Sequence, residues 1–102
     1  MSIELKESVV LSGVRPEMVV GLIAAEGVYS FYSIPLVVTS VTDGSHGPHS
    51  RHRVGLGADL RTFNVPEDTI PEIVDDLKRV LGPHFDVVLE SDHIHLEYDP
   101  EK

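Results

Sequence analysis

"HIHLEY", His93 to Tyr98, alternates polar and apolar residues without a break. In a β-strand successive side chains point to opposite faces, so Ile94, Leu96 and Tyr98 share one face and His93, His95 and Glu97 share the other. The apolar face predicts a core, and the histidine face predicts something other than a core. A strand of this kind belongs in a sheet covered on one side only.

The same parity governs "LGADLRT", Leu56 to Thr62, where Leu56, Ala58 and Leu60 point inward and Gly57, Asp59 and Arg61 lie on the opposite face. Gly57 beside Asp59 leaves room for another backbone to approach. Between these two stretches lies the clearest helix in the chain. Ile70, Ile73, Val74, Leu77, Val80 and Leu81 fall at helical spacing, Thr69 and Glu72 form a capping-box pattern, and Gly82 marks the end. The Leu77, Val80 and Leu81 stripe reads as core, and "FDVVLE" after the helix reads as a further strand.

Farther upstream, "PLVVTSV", Pro35 to Val41, has the β-branched, apolar content of a buried strand. Before it, Pro16 opens a helix that Gly27 is expected to end, with Met18, Val19, Leu22, Ile23 and Ala25 as its apolar face. "ELKESVVL", Glu4 to Leu11, reads as a short strand or an extended arm, and "TDGSHGPHSRHR", Thr42 to Arg53, as a loop. The final "EYDPEK" reads as a frayed tail. The expected fold class is α+β, a mainly antiparallel sheet with helices packed on one face and a polar site on the other.

Composition narrows the function. A chain of 102 residues, 41% hydrophobic, is sized for one domain spanning 1–102. A formal charge of −9 repels phosphate backbones, so nucleic acid is not an expected partner. No apolar run reaches the length of a membrane span, and the opening "MSIELKESVV" lacks the basic start and apolar middle of a secretory signal. The expectation is a cytoplasmic protein, as synthesised, with no membrane partner. Oligomeric state is not legible.

There is no cysteine, so any metal site must rest on histidine and carboxylate. Three of the six histidines, His46, His49 and His52, crowd into one loop, and His93 and His95 sit on the alternating strand. His52, Asp59 and His95 would give a zinc ion two imidazoles and one carboxylate, leaving the fourth position to water, as in catalytic rather than structural sites. Such a water becomes a nucleophile near neutral pH.

The run "SRHRVGLGAD", Ser50 to Asp59, resembles the Ser-x-His-x-x-Gly-x-Ala-x-Asp signature of zinc peptidases of the D-alanyl-D-alanine carboxypeptidase family. That family belongs to the superfamily that includes lysostaphin and the amino-terminal domain of Hedgehog proteins. Its second half-motif, His-x-His preceded by an acid, resembles "DHIH", Asp92 to His95. The longer runs Thr39 to Thr62 and Val87 to Asp99 are most similar to small phage and prophage members.

The resemblance implies a Hedgehog/D-Ala-D-Ala peptidase-like fold with one zinc per chain, held by His52, Asp59 and His95. It implies Asp92 as the general base, on the turn before the strand, with Glu90 as the rival acid. It would place Ser50 and His46 toward substrate; Arg61, on the Asp59 face, is a candidate for the same side, and His93 reads as a partner of the ligands, a substrate contact or a polar residue on a wet strand face. The implied substrate is a peptide of the bacterial cell wall, cut at a D-Ala-D-Ala or an L-Ala-D-Glu bond. A chain without a secretory signal would reach the wall by lysis or inside a virion.

Two departures stand out. Gly57 occupies the family's alanine position, with Ala58 beside it. The arginine that follows the "TS" strand end in family peptidases is missing from "VTDGSH", which leaves Arg51, Arg53 or Arg61 to meet developing negative charge. The alternatives to catalysis are a zinc-binding module without turnover and a phage virion or assembly protein with a vestigial site.

Overall fold

The computed structural model describes residues 3–41 and 56–100. The elements in chain order are β1 (Ile3–Leu5), α1 (Pro16–Phe31), β2 (Leu36–Ser40), β3 (Gly57–Arg61), α2 (Ile70–Leu81), β4 (Phe85–Leu89) and β5 (His93–Tyr98). The strands form one sheet in the order β1-β2-β3-β5-β4. β1 runs parallel to β2, and every other neighbouring pair is antiparallel. The fold is thus α+β, with a mixed, mainly antiparallel sheet.

One core holds it together. Met18, Leu22, Ala25 and Tyr29 of α1 and Ile73, Val74 and Leu77 of α2 pack with Val38, Ala58, Leu60, Ile94 and Leu96 of the sheet. Both helices therefore cover the same sheet face, the one onto which strand parity directs Ala58, Leu60, Ile94 and Leu96. Each fully buried Leu or Ile contributes about 1.5–3 kcal/mol relative to exposure.

α1 departs most from the sequence reading, because Gly27 does not end it. The helix continues to Phe31, and burial of Val28 and Tyr29 against the core offsets the cost of an interior glycine, about 1 kcal/mol. The stop is set just past the C-cap Tyr32 by Ser33, whose φ of 58° lies in the left-handed region. There the Ser33 N–H donates to the Ser30 carbonyl (3.0 Å) and the Ile34 N–H to the Tyr29 carbonyl (3.1 Å). This is a Schellman motif with serine in the usual glycine position, completed by burial of Ile34 and Tyr29.

The inward stripe of α1 also differs. Met18, Leu22 and Ala25 are buried as expected, whereas Val19 is 43% and Ile23 60% exposed. α1 is apolar on most of its circumference, so periodicity alone could not choose the face. The choice follows from close packing at Gly21, where a Cβ would lie 2.7 Å from Cε1 of Phe85 on β4.

In α2 the helix bounds agree with the sequence, and Gly82 ends it at φ 83°. Val80, expected in the core, is 46% exposed, because Ile73, Val74 and Leu77 form the inward stripe. The capping box does not form. Thr69 already has helical dihedrals (φ −91°, ψ −21°), and its hydroxyl donates to Asp68 Oδ1 at 3.4 Å instead of to a helix N–H. Tyr32 donates a hydrogen bond to Asp76, joining the end of α1 to α2. That bond pushes the Tyr32 phenol up to about 12 and holds the Asp76 carboxyl below its ordinary range.

The two ends of the chain also correct the reading. The first strand covers Ile3–Leu5 rather than Glu4 to Leu11, and the Lys6 N–H extends the ladder to the Val38 carbonyl at 2.9 Å before the chain turns. The "EYDPEK" end is not frayed through Asp99. Glu97 and Tyr98 belong to β5, Tyr98 N–H donates to the Leu56 carbonyl (2.9 Å), and Asp99 N–H donates to the His84 carbonyl (2.7 Å). Among the described residues no helix is long and apolar enough to cross a membrane.

Candidate functional site

The sheet face away from the helices gathers the titratable side chains of β3 and β5. Antiparallel register sets Asp59 opposite His95, Arg61 opposite His93 and Gly57 opposite Glu97. Since i and i+2 side chains share a face, these three cross-strand rows form one polar surface.

Within it, carboxylates and imidazoles alternate. Asp92 Oδ1 lies 2.7 Å from His93 Nδ1, and His93 Nε2 lies 3.6 Å from Asp59 Oδ1. The same Asp59 oxygen is 3.0 Å from His95 Nδ1, and His95 Nε2 is 3.2 Å from Glu97 Oε1. Each ring thus has a carboxylate oxygen near both nitrogens. A carboxylate only accepts, so the two contacts of His95 favour a proton on that ring. His95 is accordingly pulled above the ordinary histidine range, first by its hydrogen bond to Asp59, against the opposing effect of burial, with Glu97 adding to the rise.

β5 begins at His93, which leaves Asp92 on the preceding turn and lets its carboxylate reach the same side as His93. Asp59 and His95 are the inner members, with 15% and 21% of side-chain surface exposed, whereas Asp92 keeps 85%. A half-buried inner pair and an outer acid open to solvent divide the polar face between them.

The face opens into a cleft of about 420 Å³ lined by Lys6, Thr39, Asp59, Arg61, Phe63, Asp92 and His93. A β-bulge shapes its wall. Val38 pairs with Leu60 but Ser40 pairs with Asp59, so Thr39 is the extra residue, and its hydroxyl donates to the Asp59 carbonyl at 3.4 Å. Lys6 and Arg61 bring two cations to a cleft whose other charged groups are acids. Neither forms an ion pair among the described residues, unlike Arg79, which meets Asp76 at 3.2 Å.

Five of the residues singled out in the sequence, Asp59, Arg61, Asp92, His93 and His95, thus share this face. Glu90 stands apart. It is exposed on the β4–β5 turn, where its backbone N–H donates to the His93 carbonyl at 2.8 Å, and its side chain is not part of the cleft lining. His46, Ser50, Arg51, His52 and Arg53 lie outside the described residues. Nothing in the sequence around Lys6 marks it as a cleft residue. Only the parallel pairing of β1 with β2 carries the amino-terminal segment to the cleft.

Asp59 and His95 offer a carboxylate oxygen and an imidazole nitrogen, donor types that zinc sites use. Two ligand atoms on one tetrahedral zinc, with bonds of about 2.0–2.1 Å, lie roughly 3.3 Å apart. Asp59 Oδ1 and His95 Nδ1, at 3.0 Å, need only separate slightly to share one. Among the described residues, the one group of three whose ligand oxygens all lie within 4.8 Å of one another is Asp86, Glu97 and Asp99. It contains only carboxylates, the donor type of hard cations rather than of zinc.

Comparison with protein-family models, with curated proteins and with solved structures finds no match to this chain.

Proposed function

We propose that this chain is a zinc-dependent peptidase acting on bacterial cell-wall peptides, with His52, Asp59 and His95 as ligands and Asp92 as the proton-transfer group. The observation that carries the reading is the cross-strand pair Asp59 and His95, whose facing atoms lie 3.0 Å apart beside an open cleft. The Hedgehog/D-Ala-D-Ala peptidase type of fold belongs to the same proposal. It is supported by the motif resemblance and by a sheet that places helices on one face and the polar rows on the other.

Zinc bound there would supply Lewis acidity and a water made nucleophilic near neutral pH. The rest is the work of the side chains. Asp92 takes the proton of the attacking water on a carboxylate oxygen and returns it to the leaving amine. His93, at 2.7 Å, orients that carboxylate. Arg61, in the row next to Asp59, stands where a positive group can meet the developing oxyanion, with Lys6 as a second cation in the same cleft. These two take the place of the arginine that the sequence lacks.

The test is metal content of gently purified protein, followed by hydrolysis of wall peptides by the wild type and by Asp92→Asn. The expected result is about one zinc per chain in both proteins, with turnover reduced by about 10²–10⁴ in the variant. Zinc retained without turnover in the wild type would favour the binding-module alternative. No zinc uptake at all would overturn the proposal.

A further inference from the structure

We infer that Glu97 is a positioning residue for the metal, holding Nε2 of His95 so that Nδ1 is the nitrogen presented to the ion. The inference rests on the zinc reading above and adds to it a residue with no role there.

The strand itself creates the arrangement. Glu97 lies two residues beyond His95 on β5 and so projects from the same face, and its Oε1 is 3.2 Å from Nε2. Nδ1 of the same ring is 3.0 Å from Asp59 Oδ1. The two carboxylates therefore address opposite ends of one imidazole. A ring that shares an ion with Asp59 must do so through Nδ1, and its remaining N–H then has Glu97 as acceptor. Glu97 is on the wrong side of the ring to share that ion, which separates its role from that of a ligand.

The surroundings favour this use of Glu97. Its cross-strand neighbour on β3 is Gly57, so no side chain from that strand stands in its row. On the other flank it pairs with Asp86 of β4, and Asp86 and Asp99 bring carboxylate oxygens to within 4.8 Å. Negative charge behind the ring makes the imidazole a better donor to a cation, the usual effect of a carboxylate on a metal-bound histidine.

His93 provides the contrast. Its Nδ1 is the nitrogen held by a carboxylate, Asp92, and its Nε2 is the one turned toward Asp59, at 3.6 Å. The two histidines thus present opposite nitrogens to Asp59, and the inference predicts a definite identity for the coordinating atom of His95.

The experiment measures zinc affinity by chelator competition for the wild type, Glu97→Gln and Glu97→Ala, and cadmium–nitrogen coupling in the cadmium-loaded wild type with labelled histidine. The expected results are coupling to Nδ1 of His95, a loss of about 10–100-fold in zinc affinity for Glu97→Ala, and substantial rescue by Glu97→Gln, whose amide oxygen still accepts. Coupling to Nε2, or wild-type affinity in Glu97→Ala, would overturn the role of Glu97 while leaving the zinc reading intact. A wild type that takes up neither ion overturns both. The coupling readout is made on the unaltered chain, so it stands even if a variant fails to fold.

Discussion

On β5, Ile94 and Leu96 are fully buried in the core shared with both helices, whereas their neighbours His93 and His95 keep 28% and 21% of their side-chain surface exposed. The backbone is common to both sets, and a single-residue offset separates them. The apolar face gains from exclusion of water, a non-directional effect proportional to area. The polar face gains from hydrogen bonds and charge contacts that are directional, partly solvated and individually small. One side of the sheet therefore carries stability, and the other is free to carry chemistry.

Leu96→Ala should break the comparison hardest, by removing a fully buried side chain from between the helices and the sheet. Unfolding free energy is expected to fall by about 2–5 kcal/mol in a denaturant titration. His95→Ala, one residue away, should cost the metal-free protein no more than about 1 kcal/mol, because its contacts are partly exposed. It should nevertheless abolish zinc uptake. If the two variants destabilise the metal-free chain equally, the polar row is a structural element and the division of labour between the faces is wrong.

A finer test uses pH. His95 titrates above its unfolded value in the folded, metal-free protein, so folding takes up a proton between the two pKa values. The stabilisation from Asp59 and Glu97 is fully present below the unfolded histidine pKa of about 6.5 and is lost as pH rises through the folded one. Denaturant midpoints of stripped wild-type protein should therefore decline across that window, and the His95→Ala chain should lack this component. A flat difference between the two proteins across the window would sink the assignment. The pH effect is expected to be the smallest of the three, since it measures only part of what His95→Ala removes.

The two helices show how far the fold was legible. α2 has a narrow apolar stripe, Ile73, Val74 and Leu77, set against charged residues, and ends at a glycine with positive φ, so its bounds could be read directly. α1 offers apolar residues all round and a misleading glycine at 27, while its actual stop uses Ser33 in a conformation that a serine rarely adopts. Local pattern works where hydrophobic contrast is high. It fails where the contrast is low and packing makes the choice.

The site divides in the same way. Alternation in "HIHLEY" and "LGADLRT" was sufficient to put His93, His95 and Glu97 on one face and Asp59 and Arg61 on another polar face, because the two-residue period of a strand is a property of the backbone. Only the tertiary structure decided that those faces coincide, with Asp59 directly opposite His95, since register depends on contacts between segments that lie far apart in the chain. The same holds for Lys6 and Thr39. One reaches the cleft through a parallel pairing that leaves no mark in the residues around it, and the other through a bulge that appears only when two strands are laid side by side. The chain's own pattern set which residues could act together, and long-range packing set which of them meet.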